Sequence, residues 1–155
     1  MTQEDKELLL KDLSARLPYG VKVCYTPSDY YYPIGKIWSV RGVNLVSFIA
    51  DIIDDYGHPG TGQVFENAKL EDIKPYLRPM SSMTEEEYQE YGKACDLDCD
   101  CSSNTLRTNL KAKSRVLISV WHHGVDWLNA HHFDYRGLIE KGLALEAPEG
   151  MYKTE

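Results

Sequence analysis

The sequence lacks the short motifs that commonly mark catalytic sites. It contains no G-x-S-x-G nucleophile elbow and no C-x-x-C pair. GHPGTG, residues 57–62, resembles half of a phosphate-binding loop, but no Gly-Lys-Ser/Thr follows it and no helix is predicted after it. We therefore interpret GHPGTG as a turn, and the sequence assigns no catalytic residue. These absences favour a non-enzymatic protein.

Basic residues and long apolar runs are also scarce. Acidic residues outnumber basic ones by 24 to 17, which gives a net charge of -7 and argues against a duplex nucleic-acid partner. A local basic patch remains at Arg107, Lys111, Lys113 and Arg115. No apolar run approaches the roughly 18 to 20 residues that span a bilayer, and the start, MTQEDKELLLKDL, does not have the pattern of a signal peptide. We expect a cytoplasmic protein with no membrane partner.

Cysteines are few, and their spacing does not match common metal sites. The four cysteines are predicted to be free thiols. Three of them alternate with acids in a loop that could hold zinc, calcium or magnesium, although the spacing fits none of the common sites. Two histidine pairs could also form a metal site, but on one continuous helix they would not share an edge. We favour an exposed acidic loop and packing histidines, with no metal or cofactor; the residues concerned are Cys95, Asp96, Asp98, Cys99, Asp100, Cys101, His122, His123, His131 and His132.

The first half of the chain predicts a helix followed by short strands. Thr2 and Asp5 form an Asp variant of a capping box ahead of an apolar stripe at helical spacing. From Val21 the apolar period changes to two, and about five closely spaced strands follow, with a tight hairpin turn expected at Arg41-Gly42. This pattern is typical of a small bent barrel of the SH3-like or Sm-like kind.

The second half predicts a helical lobe. Thr84 and Glu87 form a capping box that should start a helix at Glu85, and a second helix is expected over at least residues 121–130. Asp134 can cap a further helix that Gly142 can close. We thus predict an α+β protein with a helix and barrel in residues 1–80 and a helical lobe in residues 81–155. At 155 residues the two parts should form one compact unit.

Aromatic residues with polar groups are abundant, with eleven tyrosines and three tryptophans. Tyr30, Trp38 and Arg41 are predicted to lie near one end of the barrel, where rings that stack and an arginine that binds phosphate would suit a nucleotide-type anion. The favoured interpretation is nevertheless that Trp38 belongs to the core and that the tyrosines cover a loop.

The stretch HHFDYRGLIEKGL, residues 131–143, concentrates polar side chains. His131, His132 and Arg136 are candidate ligand-binding residues. The favoured interpretation is nevertheless a structural joint, in which Asp134 caps a helix and Arg136 pairs with Asp134 or with Glu140.

Three segments together resemble a family of small uncharacterised proteins encoded by gut Bacteroidota and their phages and mobile elements: LPYGVKV, IKPYLRPMSSMTEEE and WLNAHHFDYRGLIEKGLALEAPEGMY. The resemblance covers about half of the chain and implies a setting rather than a mechanism. Together with the cluster of aromatic residues and arginine and the lack of catalytic motifs, this setting favours an oligomeric phage or mobile-element protein that sequesters a nucleotide-type or other anionic small molecule, as an anti-defence protein would. Two alternatives stay open: an adaptor that binds or inhibits a host protein, and a metal-dependent enzyme built on the histidine, cysteine and aspartate clusters.

Overall fold

The computed structural model describes residues 1–27, 37–44, 46–54, 64–95 and 122–152. The described part is α+β, with helices and strands following one another along the chain in this order: α1 (Gln3–Arg16), β1 (Lys22–Tyr25), β2 (Ile37–Asn44), β3 (Ile49–Asp54), β4 (Val64–Lys69), β5 (Ile73–Leu77), α2 (Glu85–Ala94), α3 (His122–Ala130) and β6 (Leu145–Glu146).

Helix α1 begins at the capping box that the sequence predicts. The Thr2 hydroxyl accepts a hydrogen bond from the Asp5 amide, and the Asp5 carboxylate accepts one from the Thr2 amide, both at 3.1 Å. The helix buries Leu9 and Leu13 against the sheet and ends before Gly20, whose φ of 69° is left-handed.

The strands form one mixed sheet of six strands in the order β4-β3-β2-β1-β5-β6. Neighbouring strands are antiparallel except β5 and β6, which run parallel. Within the described residues β4 and β6 are the two edges, so the sheet is not closed into the predicted barrel. Closure needs hydrogen bonds between the outermost strands, and here the chain instead adds β6 beside β5.

The prediction of a hairpin turn at Arg41-Gly42 is wrong, because both residues lie within β2. The pairing of β2 with β3 shifts register between Val40 and Gly42, so the Arg-Gly pair marks an irregularity in a continuing strand. The chain reverses after Asn44, whose side-chain oxygen accepts hydrogen bonds from the amides of Val46 and Ser47 at 3.0 Å each.

Two apolar clusters stabilise the described fold. The larger one lies between α1 and the sheet and includes fully buried Trp38. The smaller one joins α2, α3 and the segment after α3, and it contains Tyr91 and Phe133. Helices α2 and α3 approach closely at Gly124, where an added Cβ would lie 2.5 Å from the Cys95 sulfur.

Helix α2 starts at Glu85 behind the Thr84–Glu87 capping box, as predicted. Helix α3 lies within the range where a helix is predicted, but the helix expected after Asp134 is replaced by a series of turns. The Asp134 carboxylate instead stabilises these turns, since it accepts hydrogen bonds from the amides of Leu138 and Ile139 at 2.9 and 2.8 Å. Left-handed glycines at 137 and 142 interrupt a regular helix there.

Candidate functional site

A buried cluster of charged side chains joins α1 to the segment after α3. Asp12 and Arg16 lie one helical turn apart on α1, and both are fully buried. The Arg16 guanidinium donates to both carboxylate oxygens of Asp12, at 2.8 and 3.0 Å. Arg136 donates to the same carboxylate at 2.7 Å. We call Asp12, Arg16 and Arg136 the charged hub.

The hub holds the 128–136 segment against α1. Arg16 also donates to the backbone carbonyl of Phe133 at 2.8 Å and to that of Leu128 at 3.5 Å. The Tyr135 ring lies beside both guanidinium groups, with its centroid 5.6 Å from Arg16 and 4.4 Å from Arg136. These carbonyl and carboxylate contacts give each buried charge of the hub a partner, which is the condition for keeping such charges inside a protein.

His132 lies next to the hub in an unusual conformation. Its side chain is buried and its φ of 58° is left-handed. Nε2 lies 3.1 Å from the Tyr19 carbonyl, and because a carbonyl oxygen only accepts, Nε2 carries the proton. Nδ1 is then a buried acceptor with no hydrogen-bond partner among the described residues. Burial, with the nearby Arg16 charge, lowers the pKa of His132 to about 4.

His131 and Trp127 stack at the end of α3, with ring centroids 3.8 Å apart. Nδ1 of His131 lies 2.9 Å from the Trp127 carbonyl and therefore donates to it. These two contacts fix the orientation of the imidazole.

A surface cleft of about 550 Å³ lies between the start of α2, residue His131 and the C-terminal segment. Its walls include Glu90 from α2, and Glu146, Glu149 and Tyr152 from the C-terminal segment. The three glutamates are exposed. The cleft is therefore an open, acidic surface, in contrast to the buried hub.

Arg78 and Glu87 form an ion pair in one wall of the cleft. The Arg78 guanidinium donates to both carboxylate oxygens of Glu87, at 2.7 and 2.9 Å, and packs 4.2 Å from the centroid of the Phe133 ring. Partial burial alone would raise the pKa of Glu87, but the hydrogen bonds from Arg78 and from the Thr84 amide outweigh it and hold that pKa below its usual value. The Arg78 charge is thus neutralised within the wall.

The backbone of Arg78 fixes this wall to the segment after α3. Its amide donates to the His132 carbonyl, and its carbonyl accepts from the Asp134 amide, both at 2.8 Å. These two backbone hydrogen bonds therefore join the cleft wall at Arg78 to the segment that carries His132 and, four residues later, Arg136 of the hub.

The described structure separates the ligand-binding residues predicted from the sequence. Trp38 is fully buried in the larger core, and Arg41 is exposed on β2. His131 lines the cleft, His132 lies under Tyr152, and Arg136 belongs to the hub. Tyr30 lies outside the described residues.

The cysteine and aspartate loop that the sequence leaves open as a metal site lies mostly outside the described residues. Cys95 is described, and it is buried against Tyr91, where burial raises the pKa of its thiol. Cys99, Cys101 and the alternating aspartates fall in the range 96–121, which is not described. Among the residues that are described, no three His, Cys, Asp or Glu side chains are grouped in a way that could hold a metal ion.

Several residues of the hub and the cleft were not identified from the sequence. Asp12 and Arg16 carried a usable signal, because two opposite charges at i, i+4 on the apolar face of a helix indicate a buried pair. Tyr152 and Glu149 carried none, since the cleft forms only when the C-terminal segment pairs with β5.

Comparisons with protein-family models, with curated proteins and with solved structures found no match to this chain. None of the described helices is both long and apolar enough to cross a lipid bilayer.

Proposed function

We propose that this is a binding protein without catalytic activity, and that its ligand places a positively charged group in the C-terminal cleft. The observation that carries the proposal is the uncompensated negative charge of the cleft. Arg78 is paired with Glu87, whereas Glu90, Glu146 and Glu149 have no ion-pair partner in the described part of the chain. Three exposed carboxylates thus face one concave surface.

The negative charge of the cleft favours a positively charged ligand. Two unit charges about 4 Å apart near a protein surface interact by up to about 4 kcal/mol before salt screening. A cation therefore gains, and an anion loses, at each of the three carboxylates. A nucleotide-type anion is disfavoured in this cleft.

The apolar parts of the cleft suit the stem of a long cationic side chain. Pro79, Pro148 and Met151 line the same surface as the glutamates. Lysine and arginine side chains bury their methylene stems on such surfaces while their charged ends remain hydrated. The ligand class is therefore an alkyl amine or guanidine, either as a small molecule or as a side chain of a partner protein, which agrees with the adaptor alternative.

The other functional expectations from the sequence stay predictions: an anion site at Tyr30, Trp38 and Arg41, the phage or mobile-element setting, and a homo-oligomer. The cleft supports the binding-protein class and changes the expected charge of the ligand.

Isothermal titration calorimetry at low salt tests the proposal. The probes are spermidine, Nα-acetyl-lysine methylamide, a short lysine-rich peptide, AMP and a cyclic dinucleotide. We expect binding of the cations and no heat from the nucleotides. Tighter binding of the peptide than of either small amine would identify a protein partner as the source of the charge, and the reverse order a small molecule.

A pair of charge variants locates the binding. Glu90→Gln combined with Glu149→Gln should weaken cation binding about tenfold, equivalent to about 1.4 kcal/mol. Glu86→Gln combined with Glu4→Gln is the matched control, because it removes the same number of exposed charges and neither residue lines the cleft. Equal loss in both variants, or binding of nucleotides alone, would overturn the proposal.

A further inference from the structure

The C-terminal wall of the cleft is an arch that is attached mainly at its two ends. We define the arch as residues 147–152. At its first end the Ala147 amide donates to the Leu77 carbonyl at 2.8 Å. Between the ends, the described residues show one hydrogen bond, which is internal to the arch, from the Met151 amide to the Pro148 carbonyl at 3.1 Å. Few hydrogen bonds therefore oppose local opening of its middle.

Tyr152 holds the second end. Its ring stacks on His132 with centroids 3.7 Å apart. Its hydroxyl donates to the Tyr76 carbonyl at 2.9 Å and accepts from the Lys22 amide at 3.0 Å. One side chain thus attaches the arch to β1, to β5 and to His132.

The surroundings of the His132 imidazole, beneath Tyr152, disfavour its protonation. His132 is 3% exposed, and its Nδ1 atom is a buried acceptor with no partner among the described residues. A proton at Nδ1 would lie close to Arg16 of the hub, which opposes it, and to Asp12, which favours it; His131 is the other titratable neighbour. Because burial and the Arg16 charge outweigh the hydrogen bond to the Tyr19 carbonyl and the Asp12 charge, the protonated ring is disfavoured while Tyr152 covers it.

We propose that the arch is a pH-sensitive wall of the cleft: a proton taken up at Nδ1 of His132 favours release of Tyr152 and opening of the arch. Opening gives the protonated ring access to water, which replaces the partner that the buried site lacks. The effect on ligand binding rests on the proposed function, because Glu149 and Tyr152 would leave the cleft. The opening itself requires no ligand.

The direction of the effect follows from linkage. With Tyr152 in place the pKa of His132 is about 4, whereas a histidine exposed to water has a pKa of 6.5. The open state therefore binds more protons between these two values, and acid shifts the equilibrium toward it. From pH 7.5 to pH 5.5 the ratio of open to closed arch should rise by up to about tenfold.

Nuclear magnetic resonance of the free protein tests the proposal. The open population is measured from the amide signals of Gly150 and Met151 at pH 7.5, 6.5 and 5.5, with the amide of Val23 in β1 as a reference for the intact sheet. The wild-type protein should show the rise. His132→Asn should show none, because asparagine tolerates the left-handed φ but does not titrate in this range.

A second variant separates attachment from titration. Tyr152→Phe removes the hydroxyl contacts but keeps the stack and His132, so its open population should be higher at every pH with the same dependence on pH. A pH-dependent rise in His132→Asn equal to that of the wild type would overturn the proposal. Cation binding with a pH-independent arch would reject this inference alone, whereas a pH-dependent arch without cation binding would reject the proposed function alone.

Discussion

The carboxylate of Asp12 and that of Glu90 carry the same charge in opposite surroundings. Asp12 is fully buried and receives hydrogen bonds from two arginines. Glu90 is exposed on the cleft wall, without an ion pair in the described part of the chain. An unpaired charge is costly when it is buried, so each charged side chain of the hub needs a partner within the protein. Water solvates the exposed carboxylates of the cleft, so these can remain without a protein partner and are accessible to a ligand.

This difference separates structural residues from candidate binding residues. A charged group whose partners are all supplied by the protein has little left to offer a ligand. This applies to Arg136, which the sequence suggests as an anion-binding residue, and to Arg78, because each arginine is paired with a carboxylate of the protein. The contrast predicts that hub variants change stability and that cleft variants change binding.

The largest expected effect is from breaking the hub. Arg16→Met leaves the Asp12 carboxylate buried with Arg136 as its remaining partner. It also removes the hydrogen-bond donor of the Leu128 and Phe133 carbonyls. Removing one partner from a buried ion pair typically costs about 3–5 kcal/mol of unfolding free energy. Urea denaturation followed by circular dichroism measures this loss. Lys11→Met, at an exposed position on the same helix, is the control and should be nearly neutral; a similar loss in both would contradict the role of the hub.

The next effect is the pH dependence of stability at His132. The pKa of this histidine is 6.5 in the unfolded chain and about 4 in the folded protein, so the unfolded chain binds more protons between these values and stability falls as the pH falls through this window. Between pH 7.5 and pH 4.5 the loss attributable to His132 amounts to up to about 2.5 kcal/mol while the arch stays closed, and opening of the arch makes it smaller. It is measured as the difference between wild type and His132→Asn in urea unfolding at pH 7.5 and pH 4.5. Parallel losses in the two proteins would assign the acid sensitivity to other groups.

The smallest expected effect on stability is at the cleft. Glu90→Gln should change the free energy of unfolding by less than about 0.5 kcal/mol, because the side chain is exposed and unpaired within the described residues. The same substitution should weaken cation binding. A large loss of stability would place Glu90 with the structural charges and remove the contrast between the two regions.

Local signals in the sequence predict the helix starts well. Both capping boxes, at Thr2 and at Thr84, depend on side chains three residues apart, so neighbouring residues determine them. The turn at Arg41-Gly42 was misplaced because a glycine in a bulge and a glycine in a hairpin look alike in sequence.

The candidate site depends on contacts that are distant in the chain. Tyr152 contacts Lys22, 130 residues away, and Arg16 contacts Phe133, 117 residues away. No periodicity or spacing encodes such pairs. The helix predicted after Asp134 is absent, but the Asp134 carboxylate does bind backbone amides nearby, only four and five residues later.

The central claim is that the exposed carboxylates of the cleft, rather than the acidic surface in general, bind a cation. Titration of the isotope-labelled protein with Nα-acetyl-lysine methylamide, followed by amide shifts, tests it most directly. We predict saturable shifts at Glu90, His131 and Glu149, and none at Glu4 or Glu71, which are exposed acids away from the cleft. Small, unsaturable shifts at all five positions would contradict the account.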